Sequence, residues 1–307
     1  MLVILLGTSS AQSLNSPCNV EFVILGASQD AGSPQIGVND DPAWRNVLHR
    51  NTATSAAIIN RKTKDRYLFE ATPDIKEQLF SLDKISTPLN GYPLGISGIF
   101  ITHAHIGHYA GLMFLGHESA ATKSLNVFAM PRMEKFLRNN GPWSQLVDYK
   151  NIEISPLADQ TLVELAGGIK VKPYQVPHRD EFSETVAFEV KSPKKSVLFL
   201  PDIDSWAEWK SEYGHSLQER VAAVDLAFLD ATFFDNNELP GRDISKIPHP
   251  TIQDTIQLLG KKREGDPEIS FLHLNHSNPV NDFDSEQRKV VEENGWNISE
   301  MGDVLKL

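Results

Sequence analysis

The 307-residue chain is 40% hydrophobic and 22% charged, enough apolar content for a sizeable core and too little charge for a disordered one. Its formal net charge of −11, with no long Lys/Arg run, argues against nucleic acid as a substrate, because neutralising phosphates needs a basic face. With one cysteine, Cys18, the chain can form neither an internal disulfide nor a cysteine-built zinc site, so any metal must be held by nitrogen and oxygen.

The chain opens on an apolar run, Leu2–Leu6, followed by small residues to Ala11, with Ser9 at the −3 position of a cleavage there. This resembles the end of a secretory signal without its basic start and full apolar core. Residues 1–18 are read as a truncated signal or a disordered start. That reading gives an exported or periplasmic protein, with a cytoplasmic one as the alternative. No other stretch reaches the roughly 18 apolar residues of a membrane-spanning helix.

Short runs rich in β-branched and aromatic residues then predict strands at Val20–Leu25, Ser55–Asn60, Tyr67–Glu70, Gly98–Thr102 and Ser124–Ala129. Further strands are predicted at Ile169–Val176, Thr185–Val190, Ser196–Leu200, Leu226–Leu229 and Ile269–Leu274. Helical periodicity lies between them at Pro73–Leu82, Ile106–Leu115, Pro131–Asn139, Pro250–Leu259 and Ser285–Glu293. Pro131 and Pro250 suit first-turn positions, where a missing N–H costs nothing. No Pro/Gly-rich linker divides residues 19–307, which read as one domain. Strands followed by strand–helix units, twice over, predict an α/β or α+β fold of two face-to-face sheets with helices outside, a four-layer αββα sandwich.

The chemistry concentrates in Gly98-Ile-Phe-Ile-Thr-His103-Ala-His105-Ile-Gly107-His108, a strand that ends at a turn and enters a helix. His103 and His105, two apart at a strand end, point the same way, and His108 follows on the first helical turn. Only 10 of the 307 residues are histidine, so three in six positions mark a metal centre rather than scattered surface groups. Imidazole suits Zn first, with Fe or Mn also compatible.

This segment resembles the His-x-His-x-Asp-His signature of the metallo-β-lactamase superfamily. Other landmarks of that superfamily follow in order: Tyr67-Leu-Phe-Glu70-Ala-Thr-Pro-Asp74, Val176-Pro-His178-Arg179, Leu200-Pro-Asp202 and His273-Leu-Asn-His276. Gln29-Asp-Ala-Gly-Ser-Pro-Gln35, Pro201–Trp206, Leu229–Phe234, Glu238–Arg242 and Ile247–Pro250 are similar to the branch that contains the pyrroloquinoline-quinone biosynthesis B protein. The resemblance implies the αββα metallo-β-lactamase fold and one ion held by His103, His105, His178 and a bridging Asp202. Gly107 stands where the resemblance places a metal-binding Asp. That leaves His108, His276 and Asp202 for a second ion. Where the site geometry of the resemblance survives, Gly107→Asp is expected to raise metal content by up to one ion per chain, and unchanged stoichiometry to mean a second site that is filled or reshaped. The cysteine cluster of that branch is missing from Gly37–Trp44.

The resemblance implies a hydrolase that activates water on its metal and acts on a small ester, lactone or phosphodiester. Catalysis falls to Asp202 and to His249, the candidate general acid. The alternative is an iron-dependent oxygenase or cofactor-biosynthesis protein. Asp230 is a candidate to orient His249, Arg179 to hold an anionic group, and Glu70 and Asp74 to support the centre. Trp206 and Trp209, after a candidate helix cap at Asp204, read as core. The partner expected is a small-molecule substrate, with a homodimer compatible.

Overall fold

In the computed structural model, which describes residues 19–88, 93–239, 241 and 247–307, β1 (Val20–Gly26) is buried on both faces. Phe22 and Ile24 enter one core while Val23 and Leu25 enter another. A strand covered on both sides needs a continuous apolar run, which is how this segment reads. Residues 1–18, with the expected signal and Cys18, lie outside the described residues.

Among the described residues, one seven-stranded sheet has the order β14 (Val304–Lys306), β1, β2 (Ser55–Asn60), β3 (Arg66–Phe69), β4 (Gly98–Phe100), β5 (Leu125–Ala129) and β6 (Ile152–Pro156). The second has the order β13 (Asn297–Ile298), β12 (Glu268–Leu272), β11 (Leu226–Asp230), β10 (Ser196–Leu200), β9 (Val186–Lys191), β8 (Lys170–Gln175) and β7 (Val163–Glu164). Strands β3 to β6 pair in parallel, as do β10 to β13. Several parallel strands therefore end at one rim of the sandwich, and the loops leaving that rim carry the candidate site.

Three apolar layers hold the sheets. Between them lie Phe22, Phe69, Phe100, Phe188, Phe199 and Phe228. The Phe22 ring stands 5.3 Å from Phe228 and 5.9 Å from Phe69, bridging the two sheets. Outside the first sheet, α1 (Ile75–Ile85), α3 (Pro131–Asn139) and α4 (Trp143–Asp148) contribute Leu82, Met133, Leu137 and Leu146. Outside the second, α5 (Trp206–Tyr213), α6 (Leu217–Ala222), α7 (Ile252–Leu259) and α8 (Glu286–Glu293) contribute Trp209, Val221, Ile252 and Val291. The architecture is the expected αββα sandwich.

Some local expectations change. The helix expected over Ile106–Leu115 is one α-turn, α2 (Ile106–Tyr109), running into a 3-10 stretch, Ala110–Leu115. The cause is packing: the His108 carbonyl accepts from Ala71 N at 2.8 Å, and Gly111 N donates to Ala71 O at 2.8 Å. Pro250 precedes the cap of α7, which is Thr251 in a reciprocal capping box with Asp254. The cap of α5 is Ser205, not Asp204. The loop where the resemblance led to cysteines is tied instead by the Asp41 carboxylate, which accepts from Gln35 N at 3.0 Å and Ala43 N at 2.9 Å.

Phe22→Ala removes the ring that joins the sheets and is expected to cost about 3–5 kcal/mol. Urea denaturation reads this as a lower midpoint, and an unchanged midpoint would show that the inter-sheet layer repacks.

Candidate metal centre

β4 stops at Phe100, and the extended stretch after it aims His103 and His105 off the rim. β8 delivers His178, β10 delivers Asp202, β11 ends on Asp230 and β12 leads into His273. His103, His105 and His178 form one group, and Asp30, His108, Asp202 and His273 a second. In each group the candidate ligand atoms lie within 4.8 Å of one another. Asp202 is 4% exposed and lies between the groups. Its Oδ2 is 2.9 Å from His108 Nε2, 3.3 Å from His273 Nε2 and 3.5 Å from His103 Nε2. Its Oδ1 is 3.8 Å from His178 Nε2.

The outward nitrogen of most of these rings is already engaged. Thr102 Oγ1 lies 2.8 Å from His103 Nδ1 and donates to Glu70 Oε1 at 2.5 Å. Thr232 Oγ1 lies 2.9 Å from His273 Nδ1 and donates to Asp230 Oδ1 at 2.8 Å. A hydroxyl that gives its proton to a carboxylate can only accept from the ring, so Nδ1 carries the hydrogen and Nε2 keeps its lone pair. Asp204 holds His178 Nδ1 directly at 2.6 Å, and Glu181 holds His105 Nε2 at 2.9 Å. The inward Nε2 atoms of His103 and His273 are buried without a hydrogen-bond partner. Buried lone pairs aimed together at a carboxylate, with most rings oriented from behind, fit the donor set that a metal ion needs.

Electrostatics point the same way. Burial opposes the charged form of Asp202, yet His273, His178 and the hydrogen bond from His108 outweigh it and hold the carboxyl well below the usual range. Burial likewise opposes protonation of His108, but Glu70, Asp202 and Asp30 raise its pKa well above an ordinary histidine's. Glu70 Oε1 stands 3.3 Å from His108 Nδ1, close enough to act through charge but not aimed for a hydrogen bond. So many acidic groups in a buried space require positive charge among them, and a divalent cation meets that need as a proton on His108 does.

His249 belongs to a third such group, with Asp202, Asp230 and His273. Its Nδ1 is 2.7 Å from Asp230 Oδ2 and 3.5 Å from Asp202 Oδ1, and its Nε2 is buried without a partner. Burial opposes its charge, but Asp230 overcomes this and the pKa rises to about 9. Asp230 is itself fully satisfied, accepting from Ile203 N and Thr232 N at 3.0 Å each. Arg179 is exposed at the rim, and its charge reaches His249 and His105.

Four expectations need correction. His276 does not join the centre. Its Nδ1 pairs with Asn275 Oδ1 at 3.0 Å, and the charges that act on it belong to Asp41 and Asp40. The chain turns back at Asn275, whose N–H binds Thr232 O at 3.0 Å, and this leaves His273 facing inward. The useful signal was position: His273 directly follows a strand, as the other contributing groups nearly do. Asp74 also lies elsewhere, its carboxylate accepting from Ala53 N at 2.9 Å. Asp204 is not a helix cap but the partner of His178, and Asp30, Thr102 and Thr232 stand within motifs the sequence marks without having a role assigned there. Nor does Gly107 leave the second group without a further carboxylate, since Asp30 Oδ1 stands 3.0 Å from His108 Nε2.

Among the described residues no helix is long and apolar enough to cross a membrane. The family model described as the beta-lactamase superfamily domain matches residues 65–271. Coenzyme PQQ synthesis protein B of Gluconobacter oxydans is 23% identical over 316 residues, covering 94% of this chain and 99% of that protein. Its counterpart from Xanthomonas euvesicatoria is 22% identical, covering 92% and 98%. The crystal structure of Zn(2+)-bound PqqB from Methylobacterium extorquens superposes with a TM-score of 0.76 at 21% identity, covering 94% of this chain and all of that one. A diphosphatase of the PhnP family superposes with a TM-score of 0.65 at 20% identity, covering 93% and 96%.

The grouping predicts that zinc uptake, measured by elemental analysis, falls in His273→Ala and stays at the wild-type level in His276→Ala. The reverse result would reinstate His276 as the ligand.

Proposed function

The chain belongs to the β-lactamase superfamily, whose domain model spans residues 65–271, and on that premise we propose that it is a metal-dependent hydrolase of a small ester, lactone or phosphodiester. The observation that carries this reading is the pair of histidine groups that meet at the buried carboxylate of Asp202. His103, His105, His178 and Asp202 would hold one divalent ion, and His108, His273 and Asp202 a second. Zinc is the first choice for such a nitrogen and oxygen set, with iron or manganese compatible. Bound there, divalent ions would lower the pKa of a water toward neutrality and polarise the oxygen of the scissile group.

The protein's own groups supply the rest. Asp230 fixes His249 through Nδ1, which leaves Nε2 as the atom that passes a proton to the departing oxygen. Thr102, Thr232, Asp204 and Glu181 keep their partner rings in one tautomer and one orientation. The exposed Arg179 suits an anionic substrate, and this favours the phosphodiester among the three ester classes. An exported location remains part of the reading. Fractionation that finds the intact chain in the cytoplasm would remove it.

A general acid matters most when the leaving group is poor. His249→Ala is expected to slow hydrolysis of an alkyl phosphodiester by about 10²–10⁴-fold. It should slow a bis(p-nitrophenyl) ester far less, because nitrophenolate leaves without a proton. Equal losses on both substrates would show that His249 is not the proton donor.

One observation favours a second reading: the likeness to Coenzyme PQQ synthesis protein B runs over 94% of the chain. On that reading the centre holds iron and serves an oxygenase or a cofactor-biosynthetic step. Protein purified without added metal separates the two. Iron together with oxygen uptake supports the second reading, while zinc or manganese together with ester turnover supports the first.

A further inference from the structure

We propose that Asp30 supplies the carboxylate of the second ion from the loop after β1, and that position 107 is glycine because Asp30 fills the space a side chain there would need. The proposal rests on the metal-centre reading above. Asp30 Oδ1 lies 3.0 Å from His108 Nε2 and 3.6 Å from His273 Nε2. With Asp202 these residues form one compact group of four. The buried Nε2 of His273, without a hydrogen-bond partner, faces the same spot.

The glycine is the other half of the argument. A Cβ built on Gly107 would lie 2.4 Å from Asp30 Cα, 2.4 Å from its Oδ1 and 2.6 Å from its Cβ. No rotation of the Asp30 side chain relieves an overlap with its own Cα. Gly107 lies within α2 and not in the left-handed region, so its backbone does not call for glycine. In a helix alanine would otherwise be the better residue. The neighbour excludes the side chain, not the local conformation.

Asp30 cannot simply step aside. Ser28 N donates to Thr52 O at 3.1 Å, Gln29 N to Leu274 O at 2.9 Å and Gly32 N to Gln29 O at 2.8 Å. The segment is thus tied to the first sheet's loop at Thr52 and to the residue after His273. The bond to Leu274 sets Asp30 and His273 relative to each other. A carboxylate at position 107 is therefore redundant as well as excluded. The expectation that Gly107→Asp raises metal content is replaced by its opposite.

The test is zinc stoichiometry of the full chain after dialysis, by elemental analysis, with the cobalt-substituted absorption spectrum as a second readout. Wild type is expected to hold two ions. Asp30→Asn and Gly107→Ala are each expected to hold one, although Gly107→Ala removes no ligand and acts only by displacing Asp30. The double variant should also hold one, because both changes act on the same ion. Circular dichroism checks the fold, and should Gly107→Ala not fold, the near-isosteric Asp30→Asn decides alone. Two ions in Asp30→Asn, or in folded Gly107→Ala, overturn the proposal, as does a wild type with only one. A wild type that binds none overturns the metal-centre reading as well.

Discussion

The carboxylate of Asp202 must stay charged in a place almost closed to water, and the surrounding architecture follows from that. An unpaired carboxylate moved out of water costs several kcal/mol even after relaxation. Here its two oxygens face imidazoles from both sheets: His103 and His108 after β4, His178 after β8 and His273 after β12. Those side chains can meet only because strands of both sheets end at one rim. The phenylalanine layer between the sheets thus does more than stabilise: it sets the distance at which side chains from the two sheets meet within each group.

Orientation is handled by repetition of one device. Glu70, Thr102 and His103 form a chain in the first sheet's loops, and Asp230, Thr232 and His273 form its counterpart in the second. In both, a hydroxyl relays a buried carboxylate to an imidazole and decides which nitrogen is left for the centre. Both chains also contain a backbone in the left-handed region, Glu70 at φ 74° and His273 at φ 63°. Such conformations cost about 1–3 kcal/mol for ordinary residues and persist where the surroundings hold them. Here the surroundings are the hydrogen bonds that aim these imidazoles.

The loop after β1 shows how a change at one position is answered elsewhere. It brings Asp30 against His108, and Asp41 ties the same loop internally without cysteine. The second group therefore keeps two carboxylates although position 107 has none.

Much of this was legible in the sequence. The buried strands read clearly because both faces are apolar, as in β1 and β2. The four strands that went unread, β6, β7, β13 and β14, are the sheet edges among the described residues. Edge strands are short and half-solvated, so they carry little periodic signal. The short helices α4 and α6, six residues each, likewise offer less than two turns of periodicity. In the centre, His103, His105 and His108 were determined by local spacing, and His178 and Asp202 by resemblance, because each stands beside its own strand end. Only the tertiary structure decided between His273 and His276, since a turn at Asn275 sets which of them faces inward. Only the tertiary structure introduced Asp30, which is 78 positions from the His108 it contacts. Its role depends on a loop pinned to segments of both sheets and on a space that Gly107 leaves open, and neither can be read from residues near it in the chain.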